Sequence, residues 1–305
     1  MHVLITGGAG FIGSHSANVL LAAGHSVRAF DNLSTGNVDN LAGKSVELVQ
    51  GDLRDADAVA RAVDGIDAVL HLAALVSVPL SVRMPLETFA INTTGTAHVL
   101  EAARLSPRKP RVVLASTSAI FGDLPGCKDE SSPLAPLVPY ATSKLMAEEL
   151  ISVYARSYDL PVVRLRYFNV YGPRQRADSH YSGVLAKWTA AARAGDECVV
   201  FGDGEQTRDF VHVRDVAQAN LAALTDPLPT PDPLFVVATG ASVTLNEVLA
   251  ELGRATGAPL RVRHAAPRAG DIMHSSADST RLQRTFGWAP RVSLAEGLKE
   301  FRFEI

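Results

Sequence analysis

A glycine-rich turn near the start of the chain constrains its fold more than any other feature. The turn contains Gly8-x-Gly10-x-x-Gly13, with an apolar strand pattern from Val3 before it and a helix pattern from Ser14 after it. This spacing fits the fingerprint of a strand–turn–helix unit that binds a dinucleotide. One glycine allows the tight turn, one lets the pyrophosphate approach the backbone, and one lets the helix pack on the strand. The free N–H groups of the helix then face the phosphates.

A second predicted strand, from Ser26 to Asp31, ends in a carboxylate about 20 residues after the fingerprint. An acid at this point accepts hydrogen bonds from the adenosine ribose hydroxyls and repels a 2′-phosphate. The sequence therefore predicts NAD rather than NADP as the nucleotide.

Length and composition limit the class of protein. The 305 residues suffice for one large α/β domain with a smaller lobe, and 47% hydrophobic with 20% charged residues is typical of a globular chain. A net charge of −3 gives no sign of a nucleic-acid partner, and no apolar run is long enough for a membrane span. Cys127 and Cys198 lack metal-ligand spacing and are predicted to be free thiols. We expect a soluble cytoplasmic protein with no signal peptide and no metal.

Strand patterns alternate with helix patterns through the first half of the chain. Further strands are predicted at residues 46–50, 67–71, 111–115 and 161–166. Such alternation predicts an α/β fold, a doubly wound parallel sheet of the Rossmann type. Beyond Asn169, prolines and glycines break the pattern and predict a smaller, interleaved C-terminal lobe. We expect residues 1–168, with 211–240 returning, to bind the cofactor, and residues 169–210 and 241–305 to bind the substrate.

Polar or small residues follow several predicted strands, where ligands of such sheets collect. The turn from Asn32 to Gly36 offers a place for adenosine. Asp52 either reaches the adenine amino group or caps the next helix, and the sequence leaves both interpretations open. Small residues from Leu72 to Ala74 predict close approach of backbone to the cofactor. His71, alone after an apolar strand, is predicted to be a core histidine with its hydrogen bonds satisfied.

Tyr140 and Lys144 are four residues apart at the start of a predicted long helix. Side chains at this spacing share one helix face. A cation near a phenol favours the phenolate, and a Tyr with an ordinary pKa near ~10 needs such help to act as a base. The pair therefore predicts acid/base chemistry.

Together these features resemble the short-chain dehydrogenase/reductase superfamily in its extended form. The resemblance rests on the turn from Thr6 to Gly13, on Tyr140-x-x-x-Lys144 and on an upstream hydroxyl. It implies that Tyr140 is the acid/base, and that Lys144 lowers its pKa and holds the nicotinamide ribose. By position the hydroxyl that polarises the reacting carbinol is Thr117, with neighbouring Ser116 and Ser118 as rivals. The cofactor contacts expected from the motifs and the resemblance are Gly7, Gly10, Phe11, Ile12, Asp31, Asn32, Ser34, Thr35, Gly36, Asp52, Leu53, Leu72, Ala73, Ala74, Asn92, Tyr140, Lys144 and Tyr167.

Downstream motifs resemble the nucleotide-sugar epimerases of this superfamily. The segments 165–175, 202–215 and 268–271 match, in the family's order, three segments that bind the nucleotide diphosphate and ribose. The 4,6-dehydratases carry an Asp-Glu pair after the hydroxyl, where this chain has Ser118-Ala119. The residues expected to bind substrate are Thr117, Asn169, Arg208, Arg268, Asp271 and Ser275.

The resemblance implies an NAD-dependent 4-epimerase of a UDP-hexose that acts through a transient 4-keto sugar. Ser275 aligns with the wall of the sugar pocket, and a small residue there implies that UDP-GlcNAc and UDP-GalNAc enter as well as UDP-Glc and UDP-Gal. A UDP-uronate 4-epimerase or decarboxylase, with Arg83 or Arg176 at C6, and an NAD sensor without turnover stay open as alternatives. Relatives dimerise through two helices per subunit, which implies a homodimer through Pro85–Leu105 and Ala141–Tyr158.

Overall fold

The computed structural model describes residues 1–176, 183–257, 259–267 and 272–301. In chain order the strands are β1 (His2–Thr6), β2 (Ser26–Asp31), β3 (Val46–Gln50), β4 (Ala68–His71), β5 (Arg111–Thr117), β6 (Val162–Tyr167), β7 (Asn169–Tyr171), β8 (Glu197–Phe201), β9 (Thr207–His212), β10 (Leu234–Val237), β11 (Ser242–Thr244) and β12 (Arg261–Ala265). The α-helices are α1 (Phe11–Ala22), α2 (Ala56–Val63), α3 (Val78–Arg83), α4 (Pro85–Phe89), α5 (Gly95–Leu105), α6 (Pro139–Tyr158), α7 (Val184–Ala194), α8 (Val213–Thr225), α9 (Leu245–Thr256), α10 (Thr280–Phe286) and α11 (Leu294–Lys299).

The central sheet has seven parallel strands in the order β3-β2-β1-β4-β5-β6-β10. One apolar layer joins it to α1, α8 and α10, and a second joins its other face to α2, α5 and α6. Covering both faces allows a strand to be buried throughout, as in β4, where all four residues are buried and the first three are apolar. The prediction of a doubly wound parallel sheet is confirmed.

A third apolar cluster forms the core of a smaller lobe, which contains Trp188, Cys198, Leu252 and Leu298. Its strands pair as β11-β9-β7 and as β12-β8. The chain then returns to the central sheet, since β10 pairs with β6 and α8 packs on α1. This path supports the predicted interleaving, and the exact domain boundaries stay a prediction.

The structure differs from the sequence predictions in two places, one in a helix that packs on the central sheet and one among the short strands. The helix expected over Pro85–Leu105 is interrupted by a turn of π-helix at Ala90–Thr94, between α4 and α5. The short strands β7, β8, β11 and β12 were not predicted, because three to five residues give little periodic signal. None of the helices in the part of the chain that the structure describes is both long and apolar enough to cross a bilayer.

Candidate active site

The glycine turn between β1 and α1 forms a cradle that is open on one side. Gly7 has a φ of +71°, so it makes the tight turn. A Cβ on Gly13 would lie 2.2 Å from the Gly7 carbonyl oxygen, whereas a Cβ on Gly10 would meet only that oxygen, at 3.1 Å. Gly10 is also the N-cap of α1, so the unpaired N–H groups of Phe11 and Ile12 follow at once. A diphosphate fits this open side, which supports the predicted dinucleotide site.

Asp31 ties the cradle to the loop behind it. Its carboxylate accepts hydrogen bonds from the backbone N–H groups of Ala9 (3.0 Å) and Leu33 (2.8 Å). Burial raises the pKa of Asp31, and these two hydrogen bonds oppose the rise. A Cβ on Gly36 would lie 2.8 Å from the carboxylate, so Gly36 leaves it room. Each carboxylate oxygen keeps a lone pair for a ribose hydroxyl; the ribose contact stays a prediction, as do contacts to exposed Ser34 and Thr35.

The sequence left two interpretations of Asp52 open, adenine binding and helix capping, and the structure excludes the second. The residue that caps α2 is Asp55, whose side chain accepts a hydrogen bond from the Ala58 N–H at 3.0 Å. Asp52 instead accepts hydrogen bonds from Arg54 at 2.9 and 2.8 Å and from the Asn32 amide at 2.9 Å. These bonds hold the pKa of Asp52 well below its usual range. The capping interpretation is wrong, and contact with adenine stays a prediction.

The segment after β4 lies against the cradle. The N–H of Ala73 donates to the Thr6 hydroxyl at 3.2 Å, and a Cβ on Gly7 would lie 3.0 Å from the Ala73 nitrogen. Backbone at Leu72 and Ala73 is therefore held beside the fingerprint, and the approach of residues 72–74 to the cofactor stays a prediction. His71 is buried and hydrogen-bonded to Thr6 (2.7 Å) and Thr96 (2.9 Å). Burial lowers its pKa to about 3, so it is the neutral core histidine that the sequence predicted.

Three of the expected cofactor contacts are buried inside the protein. The Asn92 amide donates to the Leu75 carbonyl (3.0 Å) and to the Ser143 hydroxyl (2.9 Å), which fixes the loop after β4 to α6. Tyr167 is 6% exposed and donates to Asn220 at 2.6 Å, and Leu53 is packed in the apolar layer under α5. Direct contact of these residues with the cofactor stays a prediction.

Thr117 and Tyr140 meet at the carboxyl end of the sheet. Thr117 is the last residue of β5, and its hydroxyl accepts a hydrogen bond from the Ala119 N–H at 3.2 Å. Tyr140 lies in the first turn of α6, and its side chain is near enough to the Thr117 hydroxyl for that group to lower the pKa of the phenol. Ser116 is buried on the adjacent strand position, and its hydroxyl has no partner among the described residues. The contact with Tyr140 supports Thr117 over Ser116 and Ser118 as the assisting hydroxyl.

The pKa values of Tyr140 and Lys144 differ from what their spacing on the helix predicts. We expected Lys144 to lower the pKa of Tyr140, but burial raises that pKa, and only the hydrogen bond from Thr117 opposes the rise. Lys144 is 4% exposed, and burial lowers its pKa to about 8 against the effect of Glu148. Burial therefore favours the neutral forms of both groups.

A cavity of about 350 Å³ lies between the small lobe and the segment after β6. Asn169 and Arg208 line it, and both are tied to β9: Asn169 donates to the Asp209 carbonyl (3.0 Å) and Arg208 to that of Thr207 (2.8 Å). Apolar rings and two glutamines that sequence reasoning missed complete the wall; they are Tyr171, Trp188, Phe201, Phe210, Gln175 and Gln206. The cavity combines flat apolar walls with a guanidinium, a suitable lining for a nucleotide.

Three further residues were expected to bind substrate. The N–H of Ser275 donates to the Thr207 carbonyl (3.1 Å), and its carbonyl accepts from Ser242 (2.8 Å), which fixes Ser275 beside β9. Arg268 and Asp271 lie outside the described residues.

Comparisons with known proteins agree with this geometry. The profile of the NAD dependent epimerase/dehydratase family matches residues 3–238. A UDP-glucose 4-epimerase of Mycolicibacterium smegmatis is 38% identical, over 98% of this chain and 96% of that protein. A Thermus thermophilus UDP-glucose 4-epimerase in complex with NAD has a TM-score of 0.91 at 39% identity, with 100% of both chains covered. A Methanobrevibacter ruminantium UDP-N-acetylglucosamine 4-epimerase in complex with UDP-N-acetylmuramic acid has a TM-score of 0.93 at 35% identity, covering 98% of this chain and 96% of that one.

Proposed function

Since the chain belongs to the NAD dependent epimerase/dehydratase family, we propose that it interconverts the C4 epimers of a UDP-hexose through a transient 4-keto sugar. The observation that carries this proposal is the meeting of Thr117 and Tyr140, one helical turn from Lys144, at the sheet edge that also holds the glycine cradle. A general base for a sugar hydroxyl and a site for a hydride acceptor then lie at one edge.

Within the proposed reaction, Tyr140 accepts the proton of the 4-hydroxyl, and Thr117 donates a hydrogen bond to the same oxygen. The ammonium of Lys144 favours the phenolate form of Tyr140, against the burial that favours the phenol. Bound NAD would supply the acceptor, and then the donor, of the C4 hydride. Tyr140 returns its proton to O4 at the end, so the protein and the cofactor are unchanged and only the configuration at C4 is reversed.

Holding the nucleotide rather than the sugar explains how both faces of C4 can be presented. Asn169 and Arg208 line the cavity and bind the diphosphate in this proposal. Arg268 and Asp271, which lie outside the described residues, are proposed as further nucleotide-binding residues from the sequence motif alone. A guanidinium binds phosphate oxygens in a fixed fork geometry. The keto sugar then turns on a fixed anchor, provided its own pocket makes few strong contacts.

The sugar pocket is proposed to accept a C2 N-acetyl group. Ser275 is a small residue fixed against β9, and the relationship to a UDP-N-acetylglucosamine 4-epimerase supports a pocket of this size. Ser275→Tyr should lower kcat/KM for UDP-GlcNAc relative to UDP-Glc by at least about tenfold, because a ring would fill the space of the acetamide. An unchanged ratio of the two rates would exclude Ser275 as the wall of the pocket.

The first test is an NMR time course of the purified protein with UDP-GlcNAc and, separately, with UDP-Glc, with no cofactor added. Appearance of the C4 epimer supports both the reaction and tightly held NAD. If NAD is bound and neither sugar changes, UDP-glucuronate and UDP-xylose are tested next, for uronate epimerisation or decarboxylation. Inert behaviour with all of them would leave the NAD-sensing alternative.

We also propose that the protein is a homodimer. Exposed apolar side chains lie on the helices expected at the interface: Leu86 on α4 is 83% exposed, and Met146 and Val153 on α6 are each 43% exposed. Such a surface is unfavourable in water and is covered when two copies pair these helices.

A further inference from the structure

A third side chain continues the row of Tyr140 and Lys144 along α6. Glu148 follows Lys144 by four residues, so all three side chains share one helix face. Lys144 is 4% exposed and Glu148 is 1% exposed. The reaction described above makes no use of this buried carboxylate.

Arg166 of β6 fixes the Glu148 carboxylate from the opposite side. Its Nε donates to both carboxylate oxygens, at 3.0 and 3.3 Å, and its Nη2 donates to Oε2 at 2.8 Å. The guanidinium lies over the Phe121 ring, 5.2 Å from its centre, and Nη1 donates to the Glu130 carbonyl at 3.5 Å. The carboxylate is therefore held in one orientation by Arg166, one helical turn from Lys144.

We propose that Glu148, held by Arg166, is a positioning residue that keeps Lys144 protonated beside Tyr140. The inference rests on the proposed function, in which the ammonium of Lys144 supports the phenolate. A buried ammonium needs a counter-charge, because burial by itself favours the neutral amine. A buried Arg–Glu pair adds little to stability relative to an apolar pair, so stability alone gives weak reason for these two charges.

The other ionisable groups around Lys144 do not supply this charge. His71 of β4 is neutral, because burial lowers its pKa to about 3, and burial raises the pKa of Tyr140, so that the phenolate itself depends on the ammonium of Lys144. Glu101 of α5 accepts hydrogen bonds from Arg104 and from Tyr154, near the far end of α6. Burial lowers the pKa of Lys144 to about 8, and the charge of Glu148 opposes that shift.

The test compares Glu148→Gln with Glu149→Gln, its matched control on the exposed side of the same helix. Gln keeps the size of Glu and an oxygen for Arg166 but removes the charge. We measure kcat, KM and NAD affinity from pH 6 to 10. In E148Q the alkaline limb of kcat should move down by about one pH unit, with little change in the KM for the UDP-sugar, and E149Q should match the wild type. NAD affinity should move with kcat, since Lys144 is expected to hold the nicotinamide ribose.

A second variant tests the sign of the effect. Arg166→Gln removes the cation that shares the Glu148 carboxylate, so the alkaline limb should move to higher pH, opposite to E148Q; if it does not fold, E148Q decides alone. A uniform loss of kcat at every pH, or an unmoved limb in E148Q, would overturn the inference. The two proposals can fail separately. If the wild type shows no epimerase activity but the alkaline limb of its NAD affinity still moves to lower pH in E148Q, the proposed function is rejected and the inference about Glu148 is kept.

Discussion

The glycine cradle allows cofactor binding to be separated from folding by two single-methyl substitutions. Gly10 has φ −77° and ψ −177°, a backbone conformation that alanine adopts readily, and its added Cβ would meet only the Gly7 oxygen, at 3.1 Å. Gly10→Ala should therefore lower the free energy of unfolding by no more than about 1 kcal/mol, because the Gly7 oxygen has to move by only a few tenths of an ångström. The methyl group would occupy the open side of the cradle, so NAD affinity should fall at least about tenfold, or ~1.4 kcal/mol.

Gly13→Ala should affect both properties. Its Cβ would lie 2.2 Å from the Gly7 carbonyl oxygen and 2.8 Å from the Gly8 Cα, so α1 must move away from the turn. Overpacking of this kind costs about 1–3 kcal/mol of unfolding free energy. Gly253→Ala in α9 is the control, because its nearest neighbour, a Leu260 side-chain carbon, is 3.9 Å away. It should leave NAD affinity unchanged.

The assay is NAD titration by calorimetry on protein stripped of nucleotide, with urea denaturation of the same samples. Wild-type NAD affinity in G10A would refute the assignment of the open side of the cradle to the diphosphate. Equal losses of stability in G10A and G13A would show that the two glycines have one shared packing role.

Three further predictions concern the base, acid stability and assembly. Tyr140→Phe should lower kcat by at least about 10²-fold while NAD still binds, and epimerisation within tenfold of wild type by NMR would remove Tyr140 as the base. Burial lowers the pKa of His71 to about 3, from an unfolded value of about 6.5. The contribution of the neutral ring to the free energy of unfolding is therefore fully present above pH 6.5 and is lost as the pH falls toward 3. By pH 5 the loss amounts to about 2 kcal/mol. Urea denaturation at pH 7 and pH 5 should show a smaller loss in His71→Gln, and an equal loss in both proteins contradicts this account. Leu86→Arg should convert the dimer to a monomer by light scattering, whereas Val262→Arg in the small lobe should not, and a monomeric wild type would reject the dimer.

The sequence predicts the central sheet well because its signals are local and repeated. The central strands β1, β4 and β5 each contain a run of apolar residues, and the glycine spacing at Gly10 and Gly13 encodes the cradle. The sequence predicted that residues 211–240 return to the cofactor domain, but it did not predict that β10 pairs with β6. A strand of four residues carries no information about which strand lies next to it. The observed ends of helices and strands differ from the predicted ends by about one to three residues, because local capping contacts decide where an element ends.

The candidate site was less predictable, because its electrostatics depend on burial and on long-range contacts. The helical spacing from Tyr140 to Lys144 was visible in the sequence, and Glu148 follows at the same spacing. Nothing local indicates that Arg166 reaches Glu148 from another strand, or that burial raises the pKa of Tyr140. The same limit applies to Asp52, whose partner Asn32 lies on a neighbouring strand end.

The late arrival of β10 has a consequence for how the protein is synthesised. A nascent chain that has released residues 1–168 can pair β1 through β6, but β6 keeps an open edge until Leu234–Val237 emerge. Open strand edges are templates for aggregation. During synthesis β6 is therefore a temporary edge strand, and it becomes an interior strand only when β10 pairs with it. Because β7, β8 and β9 precede β10 in the chain, they are synthesised before the central sheet is complete.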